Sequence, residues 1–156
     1  MADPQVAFVP SSILGTLNDH QVAYVLIGGV AARMHGSVLR TGDVDICPQA
    51  TDDNAARLAE ALHDLQARVF VDERTPALAV PFDAAFVRGQ QVRNLITRFG
   101  RLDVIWQPAG TSAYDQLAAD AHTAEIRGVR VRVASLDALI ASKQAAGRDK
   151  DATALA

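Results

Sequence analysis

The sequence predicts a mixed α/β (α+β) fold, and three observations carry that expectation. Apolar runs of strand length recur along the chain, amphipathic segments of helical period separate them, and 156 residues suffice for one domain that buries roughly two-thirds of its unfolded surface. No internal repeat, low-complexity tract or linker divides residues 1–156, so a single domain is expected. Apolar residues make up 49% and charged residues 21%, the balance of a soluble globular protein. The formal charge of -3 is spread without long runs of either sign, which argues against an extended grip on nucleic acid and leaves room for a local basic cleft. Thirteen of the 15 basic residues are arginine, whose forked donors suit phosphate. One cysteine excludes an internal disulfide framework and a cysteine zinc site. No apolar stretch reaches the ~18 residues of a membrane span and no signal-peptide pattern opens the chain, so a cytoplasmic location without membrane association is expected.

In chain order, Ser11 or Ser12 is placed to cap a helix running to about Asp19, with Ile13, Leu14 and Leu17 at helical spacing. Residues 22–27 read as a buried strand ended by Gly28-Gly29, and residues 30–35 as a short helix closed by Gly36. Residues 43–47 form a second strand stopped by Pro48. Thr51 or Asp52 opens a helix whose Ala55, Leu58, Leu62 and Leu65 share one face, and residues 67–71 give a strand. Pro76 and Pro81 interrupt the next stretch, leaving 77–80 and 84–87 as two short strands able to pair. Residues 92–99 alternate apolar and polar side chains, Gly100 turns the chain, and 101–106 return as a strand carrying Asp103. A helix is expected over 112–119, a hairpin of 124–126 with 129–133 around Arg127-Gly128, and a last helix over 136–146, capped by Ser135 and broken at Gly147.

Residues 24–47, YVLIGGVAARMHGSVLRTGDVDIC, concentrate the chemistry. Side chains alternate along a strand, so Asp43 and Asp45 share one face while Val44 and Ile46 enter the core. Two carboxylates held that close repel, and a divalent cation is the usual relief. Gly28 and Gly29 permit close backbone approach, and the helix after them offers unpaired N–H groups to phosphate. No lysine follows the glycines, so this is neither a Walker loop nor a GxGxxG fingerprint. Asp103, between Leu102 and Val104, suits convergence on the same cleft better than a solvent-facing role. Arg40 either pairs with phosphate or neutralises the acids, and Thr41 fixes the turn into the strand. His35 suits capping or packing rather than base catalysis, and Cys47 a small buried thiol rather than a nucleophile. His20, His63 and His122 lack metal-ligand spacing and no G-x-S-x-G elbow occurs, so a zinc or serine hydrolase finds no support.

Taken together, GG, then RTGDVD, then RLDVIW, then SKQAAGRDKD resemble the nucleotidyltransferase superfamily with the polymerase-beta-like fold, from about Val22 to the C-terminus. The likeness is greatest to small stand-alone members, including toxins of toxin-antitoxin and abortive-infection systems. The resemblance implies a mixed central sheet flanked by helices and a catalytic and metal-binding triad of Asp43, Asp45 and Asp103 holding two Mg2+ ions, with Mn2+ as a substitute. It implies nucleotide contacts from Gly28, Gly29, Arg40, Thr41 and Lys143, the last of which is otherwise a solvated cation near a helix end. Many members carry Gly-Ser where this chain has Gly28-Gly29, so phosphate is left to backbone donors. The helical domain by which larger members hold their acceptor has no counterpart in the sequence, so residues 72–89 or another subunit are expected to grip it.

On this resemblance the chain is an enzyme that moves a nucleoside monophosphate from a nucleoside triphosphate, such as ATP, to an acceptor hydroxyl on a protein, an RNA 3′ end or a small molecule. An antitoxin or a second copy of the chain is the expected protein partner. The alternative is a catalytically silent nucleotide- or partner-binding module of the same fold. Three mutually repelling carboxylates favour the enzyme, because a silent module has no need to keep them together.

Overall fold

A computed structural model describes residues 6–89, 92–110 and 113–150. The elements are α1 (Pro10–Asp19), β1 (Tyr24–Ile27), α2 (Gly28–Met34), β2 (Asp43–Pro48), α3 (Asp52–Asp64), β3 (Arg68–Val69), α4 (Ala84–Arg88), β4 (Val92–Thr97), β5 (Gly100–Ile105), α5 (Tyr114–Asp120), β6 (His122–Ile126), β7 (Val129–Val133) and α6 (Leu136–Lys150). Seven strands form one sheet in the order β3-β4-β5-β2-β1-β7-β6. The sheet is mixed: β2 runs parallel to β5 and β1 parallel to β7, while the other four pairings are antiparallel. This is the mixed sheet with flanking helices that the sequence predicts.

The alternation in β2 and β5 sorts the side chains. Val44, Ile46, Leu102 and Val104 are fully buried in the larger core, with Ile13, Leu14 and Leu17 of α1 and Leu58 and Leu62 of α3. The opposite face carries the acids at its centre and a smaller apolar cluster of Val25, Ile27, Cys47, Leu117 and Ala134 beside them. Helix α3 forms as its sequence dictates, with the Thr51 hydroxyl accepting from the Asn54 N–H at 3.1 Å and Asp52 and Asp53 in its first turn. The β6–β7 hairpin turns at Arg127 and Gly128, both at positive φ (48° and 83°), as a two-residue loop between right-twisted strands demands.

Several elements differ from the sequence-based expectation. Residues 84–88 are helical, not a strand: the Asp83 carboxylate accepts from the Phe86 N–H at 2.7 Å, and Val87 is buried in the larger core. Of the expected 77–80 strand only an isolated bridge between Leu78 and Val69 forms, because Pro76 and Pro81 bracket it and remove ladder donors. Neither Ser11 nor Ser12 caps α1; Pro10 starts it, and the N–H of Val9 is bound to Phe99 O at 2.9 Å. Helix α2 begins at the two glycines rather than after them, Gly100 opens β5, and α6 runs through Gly147 instead of ending there. Ser135 does cap α6, accepting from the Ala138 N–H. The expected start of α5 at Ser112 lies outside the described residues. Among the described residues no helix is long and apolar enough to cross a membrane.

Asn54 ties the helical layer to the sheet. Fully buried on α3, its side chain accepts from the Ala23 N–H at 2.7 Å and donates to the carbonyls of Ala23 and Gln49, both at 2.9 Å. Replacing it leaves buried backbone groups without partners, so Asn54→Ala is expected to lower unfolding free energy by about 2–3 kcal/mol in urea titrations. A loss below about 0.5 kcal/mol would show that these bonds add nothing beyond solvation.

Candidate active site

Register brings the acids together. On the parallel pair β2–β5, Asp45 lies directly opposite Asp103 and Asp43 opposite Arg101. Neighbouring strands are about 4.8 Å apart, so the three carboxylates share one patch of the sheet. One carboxylate oxygen from each lies within 4.8 Å of the others, an all-oxygen group able to hold a metal ion.

The diglycine bend closes over this patch. Antiparallel pairing sets Ile27 opposite Asp45, so the residue after Ile27 must pass close to the acid. Gly28 does so at φ +71°, and a Cβ there would lie 1.9 Å from Asp45 Oδ2. Both the conformation and the contact exclude a side chain. The Gly29 N–H donates to the Asp45 carboxylate. A Cβ on Gly29 would fall 2.7 Å from Thr41 Oγ1, and the Thr41 hydroxyl donates to the Asp43 carbonyl at 3.1 Å, which holds the turn into β2.

Burial and mutual repulsion dominate the electrostatics. Burial first, then the charges of Asp43 and Asp103, push the Asp45 carboxyl up to about 8 against the bond from Gly29. Asp103 is raised to about 6 by burial and by Asp43, opposed by the bond with Asp45 and the charge of Arg101. Without a counter-ion the group therefore keeps a proton near neutral pH. Asp103 is only 9% exposed, and its Oδ1 has no hydrogen-bond partner. Such an oxygen is costly to bury unless a ligand completes it.

A cleft of 710 Å³ opens beside the acids, lined by Gly28, Gly29, Arg40, Thr41, Asp43 and Lys143, with a largely apolar wall from α6 and its neighbours. The side chains of Arg40 and Lys143 are exposed at this cleft. All eight residues singled out from sequence thus lie in one region: six line the cleft, and Asp45 and Asp103 adjoin it through Asp43. Cys47 is fully buried in the smaller apolar cluster, and the His35 ring is bonded to the Ala134 carbonyl at 2.9 Å, so both have packing roles. The sequence-based reading passed over Arg101. Its position two residues before Asp103 on a strand signals a shared face, and its guanidinium stands 3.7 Å from Asp103 Oδ1 and 3.8 Å from the centroid of the Phe70 ring.

No protein-family model and no curated protein matches the chain. Solved structures do. A crystal structure of a Thermotoga maritima protein provisionally named a nucleotidyltransferase aligns over 97% of this chain and 94% of its own, at 16% identity and a TM-score of 0.62. The solution structure of the antibiotic-resistance factor ANT(2'')-Ia aligns over 82% of this chain at 18% identity and a TM-score of 0.50, and this chain spans 64% of that protein. At such identities the likeness speaks to architecture: the chain has a nucleotidyltransferase-like fold.

Proposed function

We propose that the protein is a divalent-cation-dependent nucleotidyltransferase that moves a nucleoside monophosphate from a nucleoside triphosphate to an acceptor hydroxyl. The observation that carries this reading is the convergence of Asp43, Asp45 and Asp103 oxygens within 4.8 Å of one another, under a bend that only glycine can make. Three hard oxygen donors that repel one another and an unpartnered buried Oδ1 fit Mg2+ or Mn2+. Bound there, such ions would offset charge on the attacking and leaving oxygens of an in-line displacement.

The chain's own residues supply the remainder. Arg40 and Lys143 are placed for the phosphates, and the Gly28-Gly29 backbone lets them approach Asp43. In the step itself the acceptor oxygen bonds to the α-phosphorus, the bond from that phosphorus to the β-phosphate bridge breaks, pyrophosphate leaves, and the hydroxyl proton passes to Asp103. The resemblance to small stand-alone members supports a toxin role, which growth arrest on expression and its relief by a partner protein would test.

Incubation with each α-labelled triphosphate, Mg2+ and cell extract should transfer label, and Asp45→Asn should reduce transfer to background while the domain stays folded. Transfer that survives in Asp45→Asn removes this metal site from the mechanism. Gly28→Ala should cost about 1–2 kcal/mol from its left-handed backbone alone and should abolish transfer by displacing Asp45, read by denaturation and by the same labelling.

The raised Asp45 pKa sets a pH dependence. The folded state holds this proton from the ordinary value of 3.8 up to about 8, so the contribution of Asp45 to stability is complete below pH 4 and is lost as pH rises through about 8. In chelator the melting temperature should fall between pH 6 and pH 9, and the rise caused by Mg2+ should grow over the same interval as the proton it must displace is lost. An Mg2+ effect of equal size at both ends would mean that the ion does not compete with this proton.

A further inference from the structure

Among the described residues six large apolar side chains are exposed, and four of them stand at one opening. Val38 (88% exposed) and Leu39 (64%) follow α2 on one side of the cleft, and Leu136 (48%) and Ile140 (46%) belong to α6 on the other. Exposed aliphatic side chains scattered singly are ordinary, whereas four gathered at one opening mark a surface that is covered in some state of the protein. Leu39, Leu136 and Ile140 line the same 710 Å³ cleft as Gly28, Gly29, Arg40 and Lys143.

The segment bearing Val38 and Leu39 is short and sharply bounded. Before it, the His35 ring is bonded to the Ala134 carbonyl at 2.9 Å, and the N–H groups of Gly36 and Ser37 donate to Arg33 O and Ala32 O, both at 3.0 Å, closing α2. After it, Thr41 is fixed by its bond to the Asp43 carbonyl and by its close fit against Gly29. Between these anchors Val38, Leu39 and Arg40 make no backbone-to-backbone hydrogen bond with any described residue. They are held by the Arg33 guanidinium, which donates to Leu39 O at 2.9 Å, and by a longer bond of 3.3 Å from the Leu39 N–H to the Ser37 hydroxyl. Arg40 and Thr41 also line a second hollow of 470 Å³ with Phe8, Met34 and Ile126, so open space lies behind the segment as well as in front of it.

We propose that residues 38–40 are a strap that closes over the bound triphosphate, seating Leu39 against Leu136 and Ile140 of α6 and carrying Arg40 onto the phosphates, with the Arg33 bond to Leu39 O as the latch of the open state. This inference rests on the nucleotidyltransferase reading and adds a conformational step to it. A ligand shifts such an equilibrium only through contacts that differ between the two states, and the closed strap alone gives the triphosphate both the charge of Arg40 and an apolar cover from Leu39. Closure removes exposed apolar surface from solvent and shuts water away from the phosphates. The latch is one hydrogen bond at an exposed position, a small obstacle to that gain.

The test places nitroxide labels at Val38→Cys and Gln144→Cys, both exposed positions, while the fully buried Cys47 stays unlabelled. Electron–electron distance measurements on the full chain should give a shorter, narrower separation once Mg2+ and an α,β-methylene nucleoside triphosphate are added, each of the four bases being tried. Adding Arg33→Gln should move part of the population to the shorter separation without ligand. Leu39→Ser, alone or with Ile140→Ser, should abolish the shortening and weaken triphosphate binding about tenfold, the scale of a lost aliphatic contact, with an unchanged melting temperature in the absence of ligand showing that these variants are folded. A separation that stays constant while the same triphosphate raises the melting temperature overturns the strap. So does shortening that appears only at high protein concentration, which would assign the apolar side chains to a contact between copies. Failure of the nucleotidyltransferase reading shows separately, as the absence of any triphosphate-dependent rise in melting temperature in the wild type.

Discussion

The parallel register of β2 against β5 is the constraint on which the site depends. It sets Asp45 opposite Asp103, an arrangement that electrostatics alone opposes by about 1–4 kcal/mol per charge pair at these separations. The same register buries Val44, Ile46, Leu102 and Val104 completely on the reverse face, each worth about 1.5–3 kcal/mol. The apolar side therefore wins. A slip by one residue would turn every acid into the core and every aliphatic side chain into solvent, so packing against α1 and α3 holds the carboxylates together against their own repulsion.

Around that row the fold distributes opposite charge. Arg40 and Lys143 flank the acids at the cleft and Arg101 flanks them toward the sheet edge, while the diglycine bend covers Asp45 without adding a side chain. Asp103 is raised less than Asp45 because the bond with Asp45 and, after it, the charge of Arg101 oppose its burial, whereas Asp45 carries the repulsion of both other carboxylates on top of its burial. A group with a raised carboxyl, a buried oxygen without a partner and cations on both flanks costs stability, and its three acids could hold a metal ion. Asn54 shows the opposite case, a buried polar group whose bonds are complete and whose task is to join layers.

Legibility followed the strength of the local signal. Helix α3 was plain because Thr51 caps it and Ala55, Leu58 and Leu62 repeat at helical period, and the shared face of Asp43 and Asp45 followed from strand alternation. Residues 84–88 were not legible, since a run as short as Ala-Ala-Phe-Val fits either period; the Asp83 cap and the inward turn of Val87 decide it. Gly147 inside α6 illustrates how weak a single glycine is as a breaker when the turns on either side are already formed. Arg101 had a sequence signal, its two-residue offset from Asp103, but its stacking partner Phe70 follows β3, two strands from β5 in the sheet order, and could not be named without the topology.

The sequence by itself determined which side chains share a face, because that depends only on the repeat of the backbone: two residues for the strand bearing Asp43 and Asp45, and about 3.6 for the helices. It also determined where glycine was needed, at the bend after Ile27. Which strands lie side by side, and hence that Asp103 meets Asp45, that the cleft opens on one flank of the acids and Arg101 stands on the other, was decided by tertiary structure. Contacts between residues about 60 positions apart are selected by burial of the whole core and leave no trace in any local stretch of the chain.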